Sequence, residues 1–310
     1  MRNSPALSAI ADSTASISIG SLGKIIKIRN KILDLTKPNI MGVLNITPDS
    51  FSDGGKYFDL KHALRRVEEM VTQGVDIIDV GAESSRPGAI EISAQEELDR
   101  LCPILEKIVQ EFSILVSVDT YKPKVMEEVI KLKVDIINDI RALRERDEIR
   151  DGLNILAAAE IPVILMHMQG KPRNMQRQPR YEHVFTDVFN FFQHRIEICR
   201  KFGIKRQNIL LDPGFGFGKT WFDNASLLKY LNKFQELGCP LVVGLSRKSM
   251  IEKNMKGSVA IDDRLCASIA LATMAIERGA GIIRCHDVKA TRQAIDLVYA
   301  ILEDGNCIDE

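Results

Sequence analysis

Short apolar runs rich in β-branched residues recur along the chain from residue 40 onward. Continuous apolar runs of this length predict strands that are buried on both faces, as in a parallel sheet. Eight such strands are predicted, over residues 40–44, 76–80, 114–118, 134–137, 162–166, 208–211, 240–243 and 281–283.

A helical period follows each predicted strand. Leu60, Leu64 and Val67 share one helix face, and this face is the stripe that a helix lays on a sheet. Equivalent stripes are Leu98/Leu101/Leu105, Val125/Val129, Ile149/Leu153/Leu156, Val184/Val188/Phe191, Leu227/Leu231/Phe234, Leu265/Ile269/Ala272 and Ala294/Val298/Ile301. Eight strand–helix units match a (β/α)8 TIM barrel, which typically needs about 250 residues. A doubly wound open sheet is the alternative, but it usually has fewer strands.

The first residues do not share this pattern. Residues 1–23 are rich in Ser and Ala and carry only one Arg and one Asp, which predicts a disordered extension. A targeting peptide is the alternative, but the stretch lacks a solid apolar block. We therefore expect one barrel domain over residues 24–310, preceded by this extension.

Composition narrows the class of protein. Lys plus Arg and Asp plus Glu each number 42, so the net charge is zero, which argues against a nucleic-acid partner. No apolar run has the length of a membrane-spanning helix. The six cysteines contain no CxxC pair and several lie in apolar stretches, which favours reduced thiols in a cytoplasmic protein. The five histidines lack the spacing of a structural zinc site.

Cations lie at several predicted strand ends, where barrels of this type carry their chemistry. Arg86, Lys248, Arg284 and, when protonated, His286 would point into one mouth. Helix capping explains many acidic and hydroxyl residues at these ends, but it does not explain the cations. Because like charges repel unless an anion neutralises them, the mouth is predicted to bind a phosphorylated or otherwise multiply anionic ligand.

Acidic and amide side chains suggest a second ligand group. Asp119, Asn138 and Asp212 end the third, fourth and sixth predicted strands. A carboxylate accepts two parallel N–H bonds and an amide both donates and accepts, which suits the edge of a 2-amino-4-oxo pyrimidine ring. Phe217 and Met166 could supply apolar faces for such a ring. A divalent metal held by the carboxylates is the rival interpretation.

Two other functional motifs, a P-loop and a Ser-His-Asp triad, are incomplete in this sequence. The stretch before Lys219 ends in Gly-Lys-Thr like a phosphate-binding P-loop, but Pro213 occupies the position of the first required glycine. A Ser-His-Asp triad is also disfavoured, because no GxSxG nucleophile elbow occurs.

These segments together resemble the dihydropteroate synthase family of the folate pathway. MGVLNITPDSFSDGG at 41–55 and GAESSRPGA at 81–89 are similar to its first two signatures. Six further segments follow in the family's order: SVDT at 117–120, IINDI at 136–140, LMHMQG at 165–170, LDPGFGFGKT at 211–220, GLSRKSMI at 244–251 and RCHDV at 284–288. The resemblance covers residues 24–304, which makes it highly specific.

The resemblance implies a TIM barrel and a reaction. The amine of 4-aminobenzoate would displace pyrophosphate from (7,8-dihydropterin-6-yl)methyl diphosphate, with Mg²⁺ assisting, to give 7,8-dihydropteroate. The displacement is expected to be dissociative. The resemblance also implies a homodimer formed by late helices, and sensitivity of the family to sulfonamides.

The resemblance assigns the roles of the family's site residues to the matching positions of this sequence. The pterin would contact Asp119, Asn138, Met166, Asp212 and Lys248, and the pyrophosphate would contact Arg284 and His286. Ser85, Arg86, Pro87, Phe217, Gly244 and Ser246 would line the rest of the substrate site, mainly around the aminobenzoate. Asn45 would touch the metal or the pyrophosphate, and the first loop, residues 47–55, would close over the site and bring Asp53 toward the metal. The residues expected to act in catalysis are Lys248, Arg284, His286 and Asp119.

Small departures from the family pattern remove no charged group. Ala82 stands where a glycine is usual, Ser85 where a threonine is usual, and Cys285 where a valine is usual. We therefore expect an active enzyme. The alternatives are a pterin-dependent methyltransferase and a non-catalytic pterin-binding paralogue. The cations near residues 246–248 and 284–286 argue against the methyltransferase, which has no diphosphate to bind, and the intact Asn45, Arg86, Lys248 and His286 argue against the paralogue.

Overall fold

A ring of eight parallel strands forms the centre of the molecule. The computed structural model describes residues 25–46, 55–84, 89–144, 149–170, 175–176, 178–252, 260 and 262–304. The ring strands are β3 (Asn39–Asn45), β4 (Ile77–Gly81), β5 (Leu115–Asp119), β6 (Ile136–Asp139), β7 (Val163–Met166), β8 (Ile209–Asp212), β9 (Val242–Val243) and β10 (Ile282–Cys285). Most of their residues are buried, because the ring interior covers one face and the helices cover the other.

Parallel pairing runs around the ring in the order β8-β7-β6-β5-β4-β3-β10-β9. An isolated parallel bridge between Leu211 and Leu241 joins β8 to β9 and completes the ring. The predicted TIM barrel is therefore confirmed. Strand positions predicted from the apolar runs differ by up to two residues from those observed, as at residues 134–137, where the strand is Ile136–Asp139.

Helices surround the ring. They are α1 (Gly55–Thr72), α2 (Ala94–Glu111), α3 (Pro123–Lys131), α4 (Ile149–Ala159), α5 (Val184–Lys201), α6 (Trp221–Lys229), α7 (Ser249–Glu252), α8 (Leu265–Glu277) and α9 (Val288–Asp304). Val67, Leu101 and Leu105 of the predicted stripes are fully buried, whereas Ile301 of the last stripe is 62% exposed. Local signals set their starts: Ser93 caps α2, and Thr220 with Asp223 forms a capping box on α6.

One predicted helix is divided in the structure. The stripe Leu227/Leu231/Phe234 predicts a single helix, but α6 ends at Lys229 and a 3₁₀ segment, Leu231–Leu237, continues the chain. Leu227, Leu231 and Phe234 are all fully buried, so the stripe correctly identified the buried face but not the backbone hydrogen-bonding pattern.

A β-hairpin that the sequence pattern did not predict seals the amino-terminal end of the ring. Its strands, β1 (Ile25–Ile28) and β2 (Lys31–Asp34), pair antiparallel. Lys31 Nζ donates to the Ile114 carbonyl at 2.6 Å and to Asp135 Oδ2 at 2.8 Å, just before β5 and β6 begin. Ile26, Ile28 and Leu33 are buried on the barrel side of the hairpin.

The expected extension, residues 1–23, lies outside the described residues, so its boundary with the barrel domain stays a prediction. Among the helices that the structure describes, none is both long enough and apolar enough to cross a membrane.

Replacing Leu33 by Ala should destabilise the barrel. The side chain is only 1% exposed, so its removal leaves a cavity that costs about 3 kcal/mol of the free energy of unfolding. Urea unfolding followed by circular dichroism measures the change. Ile32, the preceding residue, is 58% exposed, and Ile32→Ala should shift the free energy by less than about 0.5 kcal/mol. Equal losses from the two variants would show that the hairpin does not seal the ring.

Candidate active site

Strand register brings the predicted site residues to the carboxyl-terminal end of the ring. Asn45 pairs with Gly81, Gly81 with Asp119, and Asp119 with Asn138, so these four residues form one row across β3 to β6. Met166 and Asp212 are paired at the ends of β7 and β8. Asn45 is exposed, whereas Asn138, Met166 and Asp212 are buried.

The last two strands supply the remaining described residues. Gly244, Ser246 and Lys248 follow β9, Arg284 lies in β10, and His286 comes directly after it. Phe217 lies in the loop after β8. Three predicted residues, Ser85, Arg86 and Pro87, lie outside the described residues, as do residues 47–54 of the first loop with Asp53.

Arg284 binds two carboxylates of the acidic floor of the site, which comprises Asp79, Asp119, Asn138 and Asp212. Its Nε donates to Asp79 Oδ2 at 2.7 Å, and its Nη2 donates to Asp119 Oδ2 at 3.1 Å. Asn138 Nδ2 donates to the same Asp79 oxygen at 3.1 Å. These contacts connect β4, β5, β6 and β10 and orient the predicted pterin residues relative to one another.

Asp79 is a site residue that the sequence reasoning missed. It is fully buried, and its second carboxylate oxygen, Oδ1, has no hydrogen-bond partner in the structure. A signal was available, because Asp79 is a charged residue between the apolar residues Ile78 and Val80 of a predicted buried strand, and a buried charge needs a partner. The partner, Arg284, lies 205 residues further along the chain, so local sequence could not identify it.

Burial and neighbouring charges shift the pKa values of the floor. Burial and the negative charge of Asp79 raise the pKa of Asp119 to about 7, although Arg284 opposes the shift. Burial also raises the pKa of Asp212, against the lowering effect of Lys248. The pKa of Arg284 is raised in spite of its burial, because Asp79 and Asp119 lie beside it, so this side chain stays charged.

Lys248 lies against the loop after β8. Its Nζ donates to the Phe215 carbonyl at 2.5 Å and lies 4.2 Å from the centroid of the Phe217 ring. Burial lowers the pKa of Lys248 to about 8, while Asp212 favours its charged form. The ammonium thus lies over an aromatic face, in the electrostatic field of Asp212.

Ser246 and His286 form a polar pair at the ends of β9 and β10. The Ser246 hydroxyl oxygen lies 3.0 Å from His286 Nδ1 and accepts from the His286 backbone N–H at 3.3 Å. The hydroxyl can donate to Nδ1 while it accepts from the backbone, and the imidazole proton then lies on Nε2. Burial and Arg284 lower the pKa of His286 to about 4, so the side chain is neutral near pH 7 and offers a donor, not the extra cation that the sequence suggested.

The neighbouring Arg247 is not an open cation of the mouth. Its Nε and Nη2 bind both carboxylate oxygens of Asp287, at 2.9 and 2.5 Å, and Arg247 holds the pKa of Asp287 below its usual value. This bidentate pair ties the loop after β9 to the loop after β10.

The described side chains offer few ligands for a metal ion. Among the described residues, no group of three or more His, Cys, Asp or Glu side chains could enclose a metal ion. Asn45 offers an amide oxygen beside a cavity of about 320 Å³ that His62, Arg65, Arg66 and Glu69 also line. The arginines suit phosphate groups, and one amide oxygen suits an ion such as Mg²⁺ that arrives with those phosphates, since this ion commonly keeps waters and few protein ligands.

Comparisons with known proteins identify the family. The family of pterin binding enzymes matches residues 41–286. The dihydropteroate synthase of Escherichia coli strain K12 is 48% identical over 270 residues, covering 87% of this chain and 94% of the relative. The chain belongs to the dihydropteroate synthase family. It is therefore an enzyme of the transferase class.

Solved structures of the dihydropteroate synthase family have the same fold. A Yersinia pestis dihydropteroate synthase with a sulfonamide drug complex is 45% identical, with a TM-score of 0.84 over 90% of this chain and 100% of that one. The Xanthomonas albilineans enzyme with 4-aminobenzoic acid is 38% identical, with a TM-score of 0.82 over 89% and 97% of the two chains. The same enzyme in complex with 7,8-dihydropteroate is 36% identical, with a TM-score of 0.80 over 90% and 98%.

Replacing Asp79 by Asn should lower the pKa of Asp119 from about 7. The substitution removes a negative charge that raises this pKa and leaves Arg284 to interact with Asp119 alone. Titration of the side-chain carboxyl ¹³C signals of Asp119 measures the shift. Asp296→Asn on exposed α9 should leave the value unchanged. A pKa that stays near 7 in Asp79→Asn would mean that burial alone sets it.

Proposed function

We propose that the protein condenses (7,8-dihydropterin-6-yl)methyl diphosphate with 4-aminobenzoate, giving 7,8-dihydropteroate and pyrophosphate. The observation that carries this proposal is the floor that Arg284 joins through Asp79 and Asp119, in a chain of the dihydropteroate synthase family. Asn138 binds the same Asp79 oxygen, Asp212 ends β8, and Lys248 follows β9. Such a floor offers acceptors for the N–H edge of a pterin beside cations for its diphosphate.

The floor would hold the pterin ring. Ionised Asp119 and Asp212 accept N–H bonds from the ring edge, and the Asn138 amide supplies a donor and an acceptor. Met166, which lies at the end of β7, gives an apolar contact, and Arg284 covers a face of the ring while its terminal nitrogens remain near the diphosphate.

The rim would bind the leaving group. Arg284 supplies permanent positive charge, and neutral His286 donates from Nε2. The resemblance of residues 81–89 to the family's second signature adds Arg86, which lies outside the described residues. Mg²⁺ held by Asn45 and the diphosphate would neutralise further charge when it is bound. Developing negative charge on pyrophosphate then meets donors that are already in position.

The substitution would be dissociative. The bond from the pterin methylene carbon to the diphosphate oxygen breaks first, and its electron pair leaves with pyrophosphate. The carboxylates of Asp119 and Asp212 stabilise the positive charge that spreads over the methylene and the ring. The aminobenzoate nitrogen, bordered by Ser85, Pro87, Phe217, Gly244 and Ser246, then attacks the carbon, and its proton leaves to water or pyrophosphate.

The proposal extends to assembly and location. Met274 of α8 and Leu297 and Ile301 of α9 are exposed apolar residues on two helices that pack together, and this surface supports a homodimer. The described cysteines Cys102, Cys199, Cys239, Cys266 and Cys285 are free thiols, which supports a location in the reducing cytoplasm.

A direct assay separates the candidate functions. The full chain is mixed with the pterin diphosphate, 4-aminobenzoate and Mg²⁺, and pyrophosphate and dihydropteroate are quantified. A synthase releases the two products in equal amounts. A pterin-dependent methyltransferase releases no pyrophosphate, and a non-catalytic paralogue binds the pterin without product, so either result would contradict the proposal.

Replacing Arg284 by Ala should lower kcat by roughly a hundredfold, since a donor matched to transition-state charge is worth about 3 kcal/mol. Steady-state release of pyrophosphate measures the loss. Arg278→Ala, at the end of α8 on the amino-terminal side of β10, is the matched control and should retain the wild-type rate. A wild-type rate in Arg284→Ala would remove Arg284 from the leaving-group role.

Affinity for a pterin should increase as the pH rises through about 7. Below the pKa of Asp119 the carboxyl group is protonated and cannot accept two N–H bonds, and its ionised fraction grows roughly eightfold between about pH 6 and about pH 7.5. Calorimetric titration with 6-hydroxymethylpterin gives the dissociation constant at each pH. Asp119→Asn should abolish most of this dependence; an unchanged slope would assign it to another group.

A further inference from the structure

Lys219 is a buried cation that neither the proposed binding site nor the proposed mechanism uses. Its side chain is only 4% exposed. The ammonium donates to three backbone carbonyls, those of His167 at 3.1 Å, Gly214 at 3.0 Å and Phe217 at 3.1 Å. It also lies 3.0 Å from His167 Nδ1.

These partners belong to two separate segments. His167 follows β7, whereas Gly214 and Phe217 belong to the loop between β8 and α6. The partners are carbonyls and an imidazole nitrogen, not carboxylates, so Lys219 binds the backbone shape and not an opposing charge. With four acceptors around one nitrogen, no donor is left for a substrate.

The loop that Lys219 holds carries site contacts. The Phe215 carbonyl accepts from Lys248, and the Phe217 ring faces the Lys248 ammonium. The loop also lies tightly against the segment after β7, because a side chain at Gly214 would overlap the His167 carbonyl. Its backbone therefore has little room, and a change in its shape moves the groups that touch Lys248.

Several charged groups surround Lys219. Asp212 and Asp223 favour its charged form, while Lys248 and Arg144 disfavour it. Burial, the largest effect, lowers the pKa of Lys219 to about 7. Burial and the Lys219 charge also lower the pKa of His167 well below its usual value, so the imidazole is neutral and can accept at Nδ1.

We propose that Lys219 is a positioning residue: by binding the carbonyls of His167, Gly214 and Phe217, it fixes the loop after β8 in the shape that presents Phe215 and Phe217 to Lys248. The kinetic consequence of this role rests on the proposed function, whereas the shape of the loop does not.

Lys219→Met tests the role, because it keeps the length and the apolar stem but removes every donor. Two readouts are used. Trp221, the single tryptophan of the chain, begins α6 two residues after Lys219 and reports on this loop through its emission and acrylamide quenching. Steady-state kinetics with the pterin diphosphate and 4-aminobenzoate give KM and kcat separately.

We expect Lys219→Met to alter the Trp221 signal and to lower kcat/KM for 4-aminobenzoate by roughly a hundredfold, mainly through KM, as misplacement of a binding surface does. Leu101→Ala, in the buried face of α2, is the matched control: it should lower the melting temperature while leaving the Trp221 signal and KM unchanged. Lys219→Gln, which keeps an amide donor, should be intermediate.

Other results would overturn the proposal. Wild-type emission and KM in a folded Lys219→Met would show that the loop keeps its shape alone. Parallel changes in Leu101→Ala would show a general stability effect, and failure of both Lys219 variants to fold would reduce Lys219 to a structural residue. An inactive wild-type enzyme whose Trp221 signal still responds to Lys219→Met would contradict the proposed function and leave the positioning role supported.

Discussion

The ion pairs of Arg284 with Asp79 and Asp119 are the interaction on which the site depends. They bring a cation and two acids from three strands into one buried cluster, where an unpaired member would carry a large desolvation penalty. The cluster therefore needs strands β4, β5 and β10 in one register. The arrangement fixes the relative positions of the groups that face the substrate.

Parallel barrel geometry makes this cluster available to a ligand. Every strand ends at the same rim, so residues far apart in the chain become neighbours without any long loop between them. The two sides of the rim carry different types of side chain. Strands β5, β6 and β8 supply acids and an amide, and β9 and β10 with their following loops supply Lys248, Arg284 and His286. One substrate with a polar heterocycle and an anionic tail matches both parts.

Sequence predicted the barrel because periodicity is a local property. Eight apolar runs and their helical stripes need only neighbouring residues to be recognised, and strand ends follow from them. The hairpin at residues 25–34 was missed because it is short and alternates around a turn at Arg29, whose positive φ is unusual for a non-glycine residue. Asp79 was missed because its partner, Arg284, lies 205 residues away along the chain. The neutral state of His286 was missed because it depends mainly on burial. Neither is visible in a local pattern. The positions of Asp119, Asn138 and Asp212 at strand ends could be predicted, because all strands of a parallel barrel end at the same rim.

Ring closure is uneven in this barrel. Strands β3 and β4 share five register pairs, whereas β9 has two residues and an isolated bridge joins Leu211 of β8 to Leu241, the residue before β9. Backbone amides along this seam should therefore exchange with solvent sooner than those of β3 to β5. Ser246 and Lys248 follow the thinnest strand, so their placement relative to Asp212 relies on side-chain links such as Arg247–Asp287 and Lys248–Phe215 more than on the ladder. Local opening of the ring at this seam would separate the two halves of the pocket while the longer strand pairs of the barrel stayed intact.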